Sequence, residues 1–341
     1  MSTKTVFIVD DNETNLMAAR EALEGRYNTY ACLSAKQMFK IAEKVVPDLI
    51  LLDINMPETD GFEAMRLLKA DLKLKSVPVI FLTAKHDTET EIRGFELGAL
   101  DFVGKPFSPP VLVRRIETHI ETDKLVKKSQ QAVRKIHNAT IKIIADMVEH
   151  RDKVTGGHIE RTQYYLERLV NELLTTAVYA AEIASWDMSL LLPSAQLHDV
   201  GKIAISDVIL NKPGKLTDEE FELMKTHCDA GERIIDQIAA EVEDDGFLHH
   251  AKMFAGYHHE KWNGKGYPRG LAGADIPLEG RIMAIADVYD ALVSERPYKK
   301  PFTHREAVEI IKADSGIYFD PKIVEAFMNI ADEFEVVLKT R

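Results

Sequence analysis

Short apolar runs punctuate the first third of the chain: Val6-Phe7-Ile8-Val9, Leu49-Ile50-Leu51-Leu52 and Val79-Ile80-Phe81-Leu82. Each is continuous rather than alternating, which is the pattern of a strand buried on both faces of a parallel sheet. Amphipathic segments of helix length, 13–24 and 61–71, lie between them. The alternation predicts a doubly wound α/β sheet, with functional groups at the carboxyl ends of its strands. Residues 100–103 read as the fifth strand. Beyond Pro109-Pro110, which suits a first helical turn, no glycine or proline occurs until past Arg151. That stretch reads as one long helix or as two helices broken near Thr122-Asp123. Ala132, Ile136, Ala139 and Ile143 recur at alternating steps of four and three along it. Two expectations fit that spacing equally: a short coiled-coil seam joining a homodimer, or a helix face packed on its own domain. The remainder of the chain shows no strand alternation and is expected to be all-helical. Thr217-Asp218-Glu219-Glu220 is a capping box that should open a helix ending near His227, and 279–292 reads as another helix.

The length of 341 residues suits two domains, with expected boundaries at 1–122 and 146–341 and a helical linker over 123–145. A formal charge of -12 argues against DNA or other non-specific nucleic-acid binding. A small anionic substrate remains compatible with it, because bound cations override a global field locally. Cys32 and Cys228 are far apart, so no structural disulfide is expected and a reducing compartment fits. The strand pattern starts almost at once, leaving no room for a signal peptide, and the apolar stretch 173–192 is interrupted by Glu182 and Asp187. A buried helical hairpin is expected there rather than a membrane span, and a cytoplasmic protein overall.

Acids fall where the first architecture would place function. Asp10-Asp11 closes the first run, Asp53 the third strand and Thr83 the fourth, and Lys105-Pro106 follows the fifth. Converging carboxylates repel unless a divalent cation lies among them, and oxygen ligands of this kind suit Mg²⁺. A lysine and a threonine beside them would meet phosphoryl oxygens. One aspartate at a strand end is an ordinary turn residue; five matched positions in order are not. The constellation resembles response-regulator receiver domains. The resemblance implies that Asp53 accepts a phosphoryl group from a sensor histidine kinase. It further implies that Asp11 and Asp53 bind Mg²⁺, with Asp10 helping through water and Asn55 lending a backbone carbonyl. Thr83 and Lys105 would contact the phosphoryl group, and Phe102 would be the aromatic switch.

In the second half the potential ligands are scattered: His158, the adjacent His198-Asp199, His227, the doublet His258-His259, and Asp287. Mixed imidazole and carboxylate ligation suits Fe or Mn, with Ni or Zn as further candidates. A carboxylate between two histidine groups is a natural bridge between two ions, which gives Asp199 that role. Two ions about 3.5–4 Å apart would activate water for in-line attack on phosphorus. Lys202, three residues past Asp199, is within reach of a phosphate. A lone histidine is usually structural, so His86, His119, His137, His150, His249, His250 and His304 are set aside.

The run His198-Asp199-Val200-Gly201-Lys202, taken with 258–268 and its Gly266-Tyr267-Pro268, resembles the HD-GYP family. That resemblance implies hydrolysis of cyclic di-GMP to linear pGpG, and on to GMP in some members. It implies one ion on His158, His198, Asp199 and Asp287, and a second on Asp199, His227, His258 and His259. It also implies substrate contacts from Tyr267, Arg296 and Lys299, and diguanylate cyclase (GGDEF) domains as a partner class. Val154 stands where many members carry a glutamate that helps to hold a third ion, so two ions are expected and pGpG should accumulate. The competing readings are a phosphohydrolase of another nucleotide and a non-catalytic nucleotide- or partner-binding module. The Gly-Tyr-Pro loop weighs against the first and the complete ligand set against the second.

Overall fold

The computed structural model describes residues 3–84, 88–151, 157–242, 246–295 and 300–339. Val154, Arg296 and Lys299 lie outside the described residues. The chain forms two compact units, Met1–Val133 and Arg134–Arg341.

The first unit is a parallel sheet of five strands in the order β2-β1-β3-β4-β5. The strands are β1 (Thr5–Val9), β2 (Asn28–Cys32), β3 (Leu49–Asp53), β4 (Val79–Thr83) and β5 (Asp101–Gly104). They alternate with α1 (Glu13–Leu23), α2 (Ala35–Ala42), α3 (Gly61–Ala70) and α4 (Thr88–Glu96). The central strands are apolar throughout because successive residues serve opposite layers. Phe7, Val9, Ile50 and Leu52 pack toward α2 and α3, while Val6, Ile8, Leu49 and Leu51 pack toward α1 and the segment carrying Leu112 and Ile116. Edge strand β2 alternates in exposure, which is why no continuous apolar run announces it. The fifth strand is displaced by one residue from the expected 100–103.

Helix α5 (Pro109–Arg151) begins in the first unit and ends in the second, without a break near Thr122-Asp123. Its buried positions in the second unit are Ile141, Ala145 and Val148, and Ile141 packs with Leu197, Val200 and Phe247. The repeat of Ala132, Ile136, Ala139 and Ile143 lies on another face and is exposed, Ile136 by 67% and Ile143 by 59%. The helix therefore packs on its own domain through residues other than that repeat.

The second unit has no strand among its described residues. Its helices are α6 (His158–Thr175), α7 (Ala180–Ile183), α8 (Met188–Ser194), α9 (Asp207–Leu210) and α10 (Asp218–Lys225). They continue as α11 (His227–Ala239), α12 (Phe247–Tyr257), α13 (Leu278–Val293), α14 (His304–Ala313) and α15 (Pro321–Lys339). The core is built from residues one helical turn apart: Tyr165, Leu169 and Leu173 of α6, Ile282, Ile285 and Tyr289 of α13, and Phe327, Ile330 and Phe334 of α15. Tyr165 stacks on Phe334 with ring centroids 4.4 Å apart. Each such side chain contributes about 1.5–3 kcal/mol by leaving water.

The Thr217–Glu220 capping box is present, but the helix it opens stops at Lys225. His227 is instead the first residue of α11. The chain turns at Thr226, whose hydroxyl donates back to the Leu223 carbonyl at 2.7 Å. Among the described residues no helix is long and apolar enough to cross a membrane. Both cysteines are buried and free.

Candidate phosphoacceptor and metal centres

In the first unit, the strand ends bring Asp10, Asp11 and Asp53 together, with one carboxylate oxygen of each within 4.8 Å of the others. Asp10 and Asp53 are buried and Asp11 is exposed. Lys105, just past β5, places Nζ 2.7 Å from Asp53 Oδ1 and also pairs with Asp10. Asp10 is further held by the backbone N–H of Asn12 and the side-chain amide of Asn15, each donating at 3.0 Å. Burial raises the Asp53 pKa against the opposing pull of Lys105. Thr83 is buried at the end of β4, and Asn55 is exposed two residues past Asp53. Phe102 is buried, its ring 5.5 Å from that of Phe81 and 5.0 Å from that of Phe95.

In the second unit, Asp199 is the centre of the arrangement. It lies between two tight helical turns, Ala195–Leu197 and Val200–Ala204, which keep His198 and Lys202 beside it. Asp199 Oδ1 is 3.5 Å from His227 Nε2 and 3.7 Å from His258 Nε2. Asp199 Oδ2 is 3.4 Å from His198 Nε2. His158 Nε2 lies 3.5 Å from His198 Nε2 and 3.7 Å from Asp287 Oδ1. Two clusters result, His158-His198-Asp199 and Asp199-His227-His258-His259, each with its ligand atoms within 4.8 Å of one another. Asp199 belongs to both.

The imidazoles are oriented by the rest of the fold. His198 Nδ1 bonds the Ala195 carbonyl at 2.9 Å, His227 Nδ1 that of Met224 at 2.7 Å, and His258 Nδ1 that of Phe254 at 2.8 Å. A carbonyl can only accept, so Nδ1 carries the proton in each and Nε2 presents a lone pair. The Nδ1–H of His158 donates to Asp290 Oδ2 at 2.8 Å. Asp290 also receives the Arg161 guanidinium through both oxygens, at 2.6 and 2.9 Å.

Burial, reinforced by the neighbouring His198, lowers the His258 pKa to about 3, and burial also depresses those of His227 and His259. Burial alone would raise the Asp199 pKa, but Lys202 and His198 outweigh it and hold the carboxyl well below the usual range. Lys202 Nζ lies 2.8 Å from Asp199 Oδ2, so Lys202 is not reserved for a phosphate.

These residues fit a binuclear cation. Asp199 Oδ1 and His258 Nε2 are buried acceptors with no hydrogen-bond partner, an arrangement that costs about 1–3 kcal/mol per group unless something else satisfies it. A neutral imidazole and an ionised carboxylate are the protonation states a metal requires.

A cavity of about 280 Å³ opens on this cluster, lined by His158, Asp199, Lys202, His259, Tyr267 and Asp287 among others. Tyr267 lies over His259 with ring centroids 4.7 Å apart. Its loop is fastened by Glu260, whose buried carboxylate accepts the backbone N–H groups of Arg269, Gly270 and Leu271 at 2.7, 3.1 and 3.0 Å. Gly201 is required by a close approach: a Cβ there would stand 1.9 Å from the His227 carbonyl oxygen and 2.4 Å from the Gly231 nitrogen. Sequence reasoning gave no role to Asp290, Arg161, Glu260 or Glu149. Glu149 also lines the cavity and accepts the His158 backbone N–H at 3.2 Å. The spacing of Asp287 and Asp290, one helical turn apart, was the available signal for Asp290. The doublet His249-His250 stays outside the cluster, His250 being buried against Glu279 at 2.9 Å.

Fold and site together define a receiver domain joined to a helical domain with a histidine–aspartate cluster. The family models agree: the response regulator receiver domain matches residues 6–117 and the HD domain residues 138–323. The chain belongs to the HD-domain family and carries a receiver domain in its N-terminal part. A Vibrio cholerae relative described as "Probable cyclic di-GMP phosphodiesterase" is 39% identical over 345 residues, covering 96% of this chain and 78% of its own. The cyclic di-GMP phosphodiesterase of Thermotoga maritima is 33% identical, covering 98% of this chain and 92% of its own. The cyclic di-GMP phosphodiesterase response regulator RpfG of Xanthomonas campestris is 33% identical, with coverages of 85% and 77%.

Proposed function

We propose that this chain is a response regulator that hydrolyses cyclic di-GMP to linear pGpG at a binuclear metal centre, under the control of phosphorylation at Asp53. The observation that carries this reading is the Asp199 carboxylate, which faces a histidine group on each side and leaves Oδ1 unsatisfied. His158, His198, Asp199 and Asp287 would hold one ion, and Asp199, His227, His258 and His259 the other. The donor set suits Fe or Mn. Such a pair of ions supplies an activated water and charge stabilisation at phosphorus.

The chain's own groups do the rest. The carbonyls of Ala195, Met224 and Phe254 fix the tautomers of His198, His227 and His258. Lys202 offers an ammonium to a phosphate oxygen at the cavity wall, while Tyr267 and the loop held by Glu260 close over the substrate. Arg296 and Lys299 would complete the phosphate contacts. In the receiver, Asp10, Asp11 and Asp53 would hold Mg²⁺, with Lys105 and Thr83 meeting the phosphoryl group donated by a sensor histidine kinase. The exposed face of Ala132, Ile136, Ala139 and Ile143 is the surface a second copy of the chain would use.

The test is incubation of metal-loaded protein with cyclic di-GMP, with and without acetyl phosphate, followed by chromatography of the products. Metal-dependent appearance of pGpG, at a rate altered by the phosphodonor, is expected. Intact cyclic di-GMP under all conditions overturns the reading.

A further inference from the structure

Helix α10 has a property the catalytic reading does not use: none of its eight residues is buried. It is fixed at its N-terminal end, by the capping box at Thr217 and by the ion pair of Lys212 with Glu220. One face of this helix nevertheless borders the catalytic cavity through Met224. On that side, one turn apart, it carries Phe221 and Lys225.

Phe221 is 44% exposed, although it adjoins Tyr267 at the cavity wall. The two rings meet edge to face, with centroids 6.1 Å apart and planes at 83°. Such a contact leaves much of the Phe221 ring uncovered. Lys225 Nζ stands 5.0 Å from the centre of Phe221 and 5.7 Å from that of Tyr267, so one cation serves both rings. Its ion-pair partner, Glu222, is 70% exposed, and a pair of that kind exchanges readily because solvent screens it. An open aromatic surface, a second ring at an angle and an exchangeable ammonium stand together at the edge of a cavity built for a phosphodiester.

We propose that Phe221 and Lys225 form a nucleobase platform at the mouth of the catalytic cavity, where a purine of the substrate stacks on Phe221 and turns its acceptor edge to Lys225. Stacking on an aromatic ring binds any base. The ammonium adds selectivity, because guanine presents two acceptors, O6 and N7, where adenine replaces one with an amino donor. The platform rests on the proposed cyclic dinucleotide hydrolysis and specifies how its guanine is chosen.

The experiment uses the full-length, metal-loaded protein with Phe221→Ala, Phe221→Trp and Lys225→Gln. Phe221→Ala should raise KM for cyclic di-GMP about tenfold or more, leaving kcat within about twofold. Its metal content and Tm should match the parent, and Phe221→Trp should restore KM. Lys225→Gln should narrow, by about fivefold or more, the preference for cyclic di-GMP over its di-adenine counterpart. An unchanged KM in Phe221→Ala overturns the platform. A joint loss of kcat, metal and Tm also overturns it, because Phe221 would then only brace the loop. If the parent protein fails to cleave cyclic di-GMP, the catalytic reading falls instead. Calorimetric titration of GMP into the parent and Phe221→Ala then decides the platform, which requires weaker binding by the variant.

Discussion

Asp290 Oδ2 accepts the Nδ1–H of His158 at 2.8 Å, and the same carboxylate is clasped by Arg161. Asp290 is 1% exposed. One buried acid thus turns the imidazole of His158, a proposed ligand, toward the histidine–aspartate cluster and neutralises a half-buried guanidinium. Removing one partner of such a buried pair costs about 3–5 kcal/mol, because the other charge is left unpaired. Asp290→Ala should therefore lower Tm markedly, and Asp290→Asn less so, since an amide oxygen still accepts. Both should weaken metal binding about 10–100-fold, as loss of an orienting partner does. Thermal denaturation and metal titration check the two effects separately.

Asp199→Ala should abolish metal loading and turnover together, because Asp199 alone belongs to both clusters. The parent should carry about two transition-metal ions per chain by elemental analysis. Lys202→Met should lower kcat/KM about 100-fold while retaining most of the metal. Wild-type turnover in Asp199→Ala would rule out the shared carboxylate.

Acetyl phosphate with Mg²⁺ should label the parent chain on Asp53, read by intact-mass spectrometry. Asp53→Asn should show no adduct. Lys105→Ala should still be labelled, because Lys105 contacts the carboxylate without being the acceptor, but its response to the label should be weakened. Equal labelling of Asp53→Asn and parent would remove Asp53 from that role.

The metal-free protein should lose stability below neutral pH. Folding lowers the His258 pKa to about 3, and those of His227 and His259 are lowered too. An unfolded histidine titrates near 6.5, so between that value and the folded pKa the unfolded chain binds more protons. The stability contributed by these three histidines is then fully present above about pH 6.5 and falls as the pH drops toward 3. His198, whose burial is outweighed by the neighbouring Asp199 so that its pKa rises, contributes in the opposite sense. Melting curves of chelator-treated protein from pH 7 to pH 5 should show the decline, and His258→Gln should flatten it.

The two-unit architecture could be read from the chain because strands buried on both faces and turn-spaced core helices leave distinct signatures. Edge strand β2, half-exposed, left none. The placing of His227 was misread by a local rule: the capping box correctly opens α10, but the chain turns at Thr226 and uses His227 to start the next helix. Metal-ligand chemistry could be listed from residue types. The supporting groups were harder to place: Asp290 meets His158 across distant segments, so its spacing from Asp287 hints at a role without naming the partner, and no pattern marks Glu260 as the acceptor of the Arg269 backbone. The seam spacing in α5 was ambiguous for a related reason. Periodicity names a face without naming what covers it, and here Ile141, Ala145 and Val148 supply the buried one.

Gly201 presses its backbone against that of His227 and Gly231 so tightly that no side chain fits between them. The gap between the segment bearing His198 and Asp199 and the helix bearing His227 is thus gauged by main chain against main chain. Side chains can hop between rotamers, but a backbone contact of this kind has no slack. Ions held there as proposed would consequently be selected by the span they fit more than by their element. First-row ions of similar radius should be interchangeable there without rebuilding the protein around them.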